Sequence, residues 1–229
     1  MQKSSKTAVI VQARYGSTRL PGKVLLPLGE ETVLWHVLKR CQRIKADVVV
    51  CAVPEGDEAV AIEAIRAGAK VAYGPEDDVL GRYLLAATDV GANKILRVTS
   101  DCPLIDPEIC NEVLELSGVL DYASNVTPRM WPKGLDCEAF SITALQTADR
   151  KATDPRDREH VGPWMQRNLE NKTLLGPGVR GRWVLDYPED YYFLSALFEY
   201  LPPFASFKEI QQTLDEHSEI SSLNALRAI

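Results

Sequence analysis

Residues 8–23 read Ala8-Val9-Ile10-Val11-Gln12-Ala13-Arg14-Tyr15-Gly16-Ser17-Thr18-Arg19-Leu20-Pro21-Gly22-Lys23, and this stretch decides the fold. An apolar run of strand length gives way to a loop of small residues with three cations, Arg14, Arg19 and Lys23. Gly16 permits backbone angles that a side chain forbids. Gly16, Ser17 and Thr18 let a ligand come close to the backbone amides. Amides and full positive charges converging in one loop suit a polyphosphate. No Gly-Lys-Ser/Thr follows at the spacing of a Walker loop, and the glycines lack the Rossmann dinucleotide spacing. Spacing alone leaves a solvated turn with scattered cations equally open.

Outward from this stretch the chain alternates strands with helices, which predicts an α/β sheet of mostly parallel strands. The first strand, Thr7–Gln12, is apolar nearly throughout, as a strand buried on both faces is. Residues 24–29 form a short connector. Thr32 caps a helix to about residue 43, with Val33, Leu34, Val37 and Leu38 at helical spacing. Strands follow over 47–53, 70–73 and 93–99, separated by a helix over 57–67 that Gly68 closes and one beginning after Pro75. Asp106 caps a helix over 107–116. Residues 121–124 and 138–142 read as strands, 144–150 as a helix, and 182–186 as a short strand ending at Asp186. Helices over 188–200 and 207–217 complete the chain, and residues 1–6 are polar and expected to fray. No repeat or low-complexity linker interrupts 1–229, so one domain is expected.

Composition sets the outer bounds. A chain of 229 residues is ample for one domain with a sizeable core. A net charge of −6 argues against a general nucleic-acid binder. It leaves room for a local cationic pocket. The five cysteines show no Cys-x-x-Cys spacing. With no secretion signal, they fit a reducing cytoplasm. No apolar run approaches the ~20 residues of a membrane span. No Ser or Cys stands with a His in a recognisable nucleophile motif.

In an open α/β sheet, ligands bind beyond the carboxyl ends of strands. Asp101 follows strand 93–99 at such an end, too far upstream of the 107–116 helix to cap it. A carboxylate there can hold Mg²⁺ against substrate phosphates. Asp186 is a second such carboxylate, far away in sequence.

Gln12 through Lys23 resembles the opening signature of the cytidylyltransferases that make CMP-activated acid sugars. The nearest branch is the one named after spore-coat polysaccharide biosynthesis. Acylneuraminate cytidylyltransferase and CMP-deoxy-manno-octulosonate synthetase are better-known relatives. Asp101-Cys102-Pro103-Leu104-Ile105-Asp106-Pro107, Pro132-Lys133-Gly134-Leu135-Asp136-Cys137-Glu138 and Arg158-Glu159-His160-Val161 resemble further family segments. Gly162 stands where the branch commonly has Thr. The resemblance implies a glycosyltransferase-A-like (Rossmann-like), three-layer nucleotidyltransferase fold. It also implies transfer of CMP from CTP to a nonulosonate-type sugar with release of pyrophosphate, in surface polysaccharide or glycan biosynthesis.

The same resemblance distributes roles. Arg14 and Lys23 lie on the phosphates, among nucleotide-binding residues Gln12, Ala13, Arg14, Gly16, Ser17, Arg19 and Lys23. Gly74, Pro75, Asp78 and Arg82 stand near the base, with Thr99 and Ser100 flanking its pocket. Asp101 and Asp186 carry Mg²⁺, and with Arg14 and Lys23 they form the catalytic set. Lys133 faces an acceptor carboxylate beside Gly134, with Arg158 and His160 as further donors. Asp136 and Glu138 either bind sugar hydroxyls or brace their loop. A homodimer is implied through an arm at about 125–170, where Met130, Trp131, Trp164 and Met165 interrupt polar sequence. The same fold with another nucleotide, or with a polyol phosphate or phosphonate acceptor, remains an alternative, as does a CTP-binding subunit without turnover.

Overall fold

The computed structural model describes residues 6–118 and 120–227. The expected fraying of the amino terminus lies, for residues 1–5, outside them. The chain runs through β1 (Thr7–Gln12), a single 3₁₀ turn, β2 (Pro27–Leu28), β3 (Glu31–Thr32), α1 (Val33–Cys41), β4 (Val48–Pro54), α2 (Glu58–Arg66) and β5 (Lys70–Gly74). Then come α3 (Val79–Asp89), β6 (Lys94–Thr99), α4 (Pro107–Leu116), β7 (Tyr122–Ser124), β8 (Glu138–Ser141) and α5 (Ile142–Lys151). The last elements are α6 (Pro155–His160), α7 (Gly162–Asn168), β9 (Asn171–Thr173), α8 (Pro188–Phe198), α9 (Phe207–Glu216) and a 3₁₀ segment (Ile220–Arg227).

Seven strands form one sheet in the order β5-β4-β1-β6-β8-β7-β9. β5, β4, β1 and β6 are mutually parallel, while β8 runs antiparallel to both β6 and β7. Strand alternation sorts the core into two layers. Val9, Val11, Leu96 and Val98 face α1, α2 and α4. Ala8, Ile10 and Ile95 face α3, α5 and α7. Because β1 and β6 point the same way, Gln12 and Thr99 are register partners at their carboxyl ends. That shared edge carries the loop after β1 and the turn with Asp101.

The helix starts follow their capping residues. Thr32 accepts from the Trp35 amide at 3.1 Å. Asp106 accepts from the Glu108 amide at 2.7 Å and, through its other oxygen, from the Phe207 amide at 2.7 Å. It therefore caps α4 and ties α9 to it.

Several local expectations differ. Residues 182–186 are not a strand: only Arg182 forms a bridge, to Lys133. Asp186 is instead placed by the Leu185 amide, which donates to the Asp101 carbonyl at 2.8 Å. The left-handed residue of the first loop is Gly22, φ 67°, rather than Gly16. The charged segment 154–164 holds one short helix and the start of another, and α5 begins at Ile142, two residues earlier than expected. Trp131, Trp164 and Met165 of the expected pairing arm pack into this chain's own core, while Met130 is half-buried and packs with none of its clusters. Met165 is fully buried beneath the sheet and Trp164 packs beside it. Trp131 is buried against Phe207.

Candidate active site

Beyond the carboxyl ends of β1 and β6 lies a cleft of about 610 Å³. At its centre is the Lys23 ammonium. It donates to Asp101 at 2.8 Å, to Asp186 at 2.7 Å and to the Leu185 carbonyl at 2.8 Å. Two carboxylates from distant parts of the chain thus converge on one cation. Burial opposes the charge of Lys23, but Asp101 and Asp186 outweigh it and hold its pKa above the usual value. Burial likewise works against the Asp186 anion. Lys23, Arg19 and Lys133 outweigh it and hold the Asp186 carboxyl well below the usual carboxylate range. Arg19 reaches Asp186 at 3.1 Å and Lys133 stands 3.7 Å from its other oxygen. Thr99 donates its hydroxyl to Asp101 at 2.6 Å, which fixes that carboxylate's rotamer.

A buried brace sits behind Asp186. Asp190, fully buried, accepts from Arg182 at 2.7 and 2.8 Å and from the amides of Asp186 and Tyr187 at 3.0 Å each. Asn224 adds a donor at 3.0 Å. The carboxylate therefore starts α8 and aims Asp186 at Lys23. Asp190→Ala removes the bidentate partner of a buried guanidinium and leaves it only Asp186 at 3.4 Å, which costs about 3–5 kcal/mol. Chemical denaturation is expected to show a loss of that size, and a loss under 1 kcal/mol would remove Asp190 from this role.

The lining contains Gln12, Ala13, Arg14, Gly16, Ser17, Arg19, Lys23, Arg82, Thr99, Ser100, Asp101, Lys133, Asp136, Glu138, His160 and Asp186. Five of the expected residues are not part of it. Arg158 is consumed by Asp78 at 2.5 and 2.9 Å and by Asp149 at 2.7 and 2.8 Å, fastening α6 to α3 and α5. Asp78 also caps α3 through the Gly81 amide. Gly134, φ 114°, lets its segment run against residues 183–184, where a Cβ would meet the Trp183 carbonyl at 2.6 Å. Gly74 and Pro75 act one step removed, because the Pro75 carbonyl accepts from Arg82 at 2.6 Å. Thr99, expected beside the base, turns its hydroxyl to Asp101 instead.

Arg82 is buried with no carboxylate partner. Its Nη1 meets two backbone carbonyls, its Nε has no partner among the described residues, and burial holds its pKa down. Asp136 is engaged by Arg129 at 2.7 and 3.0 Å. Glu138 is held by Arg97 and by the Tyr122 hydroxyl. Arg14 lies 4.0 Å from both Glu76 and Glu159.

Sequence reasoning missed Arg97, Tyr122 and Gln166, which also line the cleft. The signal for Arg97 was present: a cation inside the otherwise apolar strand Ile95-Leu96-Arg97-Val98, in register with Glu138.

Cations gathered beyond parallel strand ends, beside a converging carboxylate pair, define a nucleotidyltransferase. A family profile described as cytidylyltransferase matches residues 8–225, and the chain belongs to that family. It is 33% identical over 189 residues to the 3-deoxy-manno-octulosonate cytidylyltransferase of Anaeromyxobacter dehalogenans, covering 75% of this chain and 78% of the other. It is 30% identical over 206 residues to the spore coat polysaccharide biosynthesis protein SpsF of Bacillus subtilis, covering 83% and 85%. The structure of a cytidylyltransferase from Leptospira borgpetersenii superposes with a TM-score of 0.90 at 30% identity, covering 95% of this chain and 97% of that one. No helix among the described residues is long and apolar enough to cross a membrane.

Proposed function

We propose that the protein transfers CMP from CTP to a carboxylate-bearing, nonulosonate-type sugar and releases pyrophosphate. The observation that carries this reading is the convergence of Asp101 and Asp186 on Lys23, beside the amide-rich loop after β1. Family membership and the named relatives support the nucleotide and the acid-sugar class.

The donor set fits a divalent cation. Mg²⁺ is held by one or two carboxylates, with substrate phosphates and water completing the octahedron. Asp101 and Asp186 supply two such oxygens at one point, and no third acidic, His or Cys ligand joins them among the described residues. Asp101 and Asp186 would hold the ion, which supplies charge neutralisation on the triphosphate.

The chain's own groups do the rest. The amides of Gly16, Ser17 and Thr18 and the Arg14 guanidinium take the phosphate oxygens, while the Ala13 and Tyr15 amides are held by the Ala52 carbonyl and Asp57. Lys23 and Arg19 neutralise the charge that builds on the departing pyrophosphate. The acceptor hydroxyl attacks the α-phosphorus, the bond to the bridging oxygen breaks, and the electron pair leaves with pyrophosphate. Holding acceptor and phosphorus in line lowers the entropic barrier. His160, on the cleft lining, is assigned to accept the hydroxyl proton. Arg82, in the cleft wall and tied to the Pro75 carbonyl, is assigned to the base side of the cleft.

Lys133 stands 3.7 Å from Asp186, and on that proximity it is assigned to the phosphate end rather than to the acceptor carboxylate. Lys133→Ala is expected to raise the KM values for CTP and acceptor by similar factors. A rise confined to the acceptor assigns the lysine to the sugar instead. Pairing of two copies rests on the family resemblance, and light scattering at micromolar concentration tests it. The five cysteine thiols are buried and free. Pyrophosphate release measured with CTP, ATP, GTP and UTP across a panel of acid, neutral and phosphorylated sugars tests the whole reading. CTP with an acid sugar is expected to lead; a neutral or phosphorylated acceptor turning over faster than every acid sugar overturns it.

A further inference from the structure

We propose that Arg97 binds the carboxylate of the acceptor sugar and so determines acceptor specificity. The inference rests on the reading above that the acceptor is an acid sugar. An acid group enters a partly dry cleft only if a cation with matching donors receives it. The cations of the acceptor half are mostly committed. Arg158 has all three guanidinium nitrogens on Asp78 and Asp149. Arg129 spans Asp136 with both terminal nitrogens. Lys133 belongs to the Asp186 end.

Arg97 differs. Its Nε donates to Gln12 at 3.2 Å and its Nη1 to Glu138. Its Nη2 has no partner among the described residues and is not sealed in, and the side chain keeps 14% of its surface on the cleft. One guanidinium nitrogen is therefore offered to a ligand while the other two hold the group rigid. That is how arginine recognises carboxylates with little loss of side-chain freedom.

The surroundings are built to fix it. Arg97 sits in a central strand, flanked by β1 and β8, in a register row with Ile10 and Glu138. An apolar side chain there would pack without the cost of burying charge. Glu138 is locked in turn by the Tyr122 hydroxyl. The α6–α7 turn presses on Glu138 from above, and a Cβ on Gly162 would fall inside its carboxylate. Val161, in that turn, is fully buried at φ 66°, ψ −60°, the rare strained form of a γ-turn and costly for a β-branched residue. Strain of this kind persists where surrounding structure over-determines it, at functional sites above all. Here it closes the turn on Glu138 and brings His160 into the cleft.

The test uses an acid sugar that the wild-type enzyme turns over, together with its carboxamide. Arg97→Lys keeps a cation for Glu138 but has no second nitrogen for a ligand. It is expected to raise the acceptor KM about 10- to 100-fold, the cost of a charge-assisted hydrogen bond, with the CTP KM within about twofold. The preference of the wild type for carboxylate over carboxamide should largely vanish in the variant. The double variant Arg97→Gln with Glu138→Gln removes both charges and serves if the single one unfolds. Soaking the acid sugar into wild-type crystals reads the same contact without substitution: a carboxylate oxygen is expected within hydrogen-bond distance of Arg97 Nη2. An unchanged acceptor KM, an equal loss for CTP and acceptor, or a carboxylate seated on other residues overturns the assignment. Wild-type enzyme inactive with every acid sugar overturns the acid-sugar reading and this inference with it; a wild type active on acid sugars beside variants of unchanged acceptor KM overturns Arg97 alone.

Discussion

Asp101→Asn and Asp186→Asn are each expected to cut turnover at least about 100-fold at saturating CTP and divalent cation. An amide is a poor ligand for a hard cation, and metal-assisted charge stabilisation contributes several kcal/mol, where each 1.36 kcal/mol is tenfold in rate. The structure separates the two variants by their secondary effects. Asp186 answers Lys23, Arg19, Lys133 and Arg182, so removing its charge leaves Arg19 and Lys133 without a carboxylate, and Lys23 and Arg182 with one each, Asp101 and Asp190. Asp101 answers Lys23 alone, with Thr99 donating to it. Asp186→Asn should therefore lower the melting temperature more than Asp101→Asn, while both lose activity alike. Near wild-type rates for both variants at limiting metal would refute the carboxylate pair as the metal site.

Lys23→Ala is the second large effect, and its sign depends on metal. The ammonium neutralises two carboxylates that are 10% and 21% exposed. Without it they repel across a partly dry gap, so the metal-free protein should melt at lower temperature. A divalent cation relieves the same repulsion. Added Mg²⁺ or Mn²⁺ is therefore expected to raise the melting temperature of Lys23→Ala by more than that of the wild type, where the ion finds an ammonium already in place. Turnover should still fall about 100- to 1,000-fold, the usual loss when one preorganised donor to a developing anion is removed. Equal metal-induced shifts in both proteins would mean that Lys23 and the ion do not share these carboxylates.

The fold was legible where periodicity and strand ends carry the information. β1 and its cationic loop, the apolar strands β4 and β6, and the caps Thr32 and Asp106 all stand as residue patterns predict. Asp101 could be singled out because it follows a strand and caps nothing. Asp186 was found for a partly mistaken reason: its segment is not a strand, but an extended stretch latched to Lys133 and to the Asp101 carbonyl. No local pattern encodes that latch, since both partners are distant in sequence. Arg158 misled for the same reason. Charged residues in 154–160 read as free donors, yet the partner of Arg158 is Asp78, 80 residues earlier. Arg97 was overlooked because a single cation in a strand carries no periodicity; only its register with Glu138 gives it meaning. The helices α6 and α7 are too short and too charged for hydrophobic spacing to reveal.

The most direct test is the mass of the product. Wild-type enzyme, CTP, a divalent cation and an acid sugar should yield the CMP-linked sugar and pyrophosphate in equal amounts. CMP and pyrophosphate with no linked sugar, or a nucleotide-linked product of different mass formed faster from a neutral or phosphorylated sugar, would contradict it.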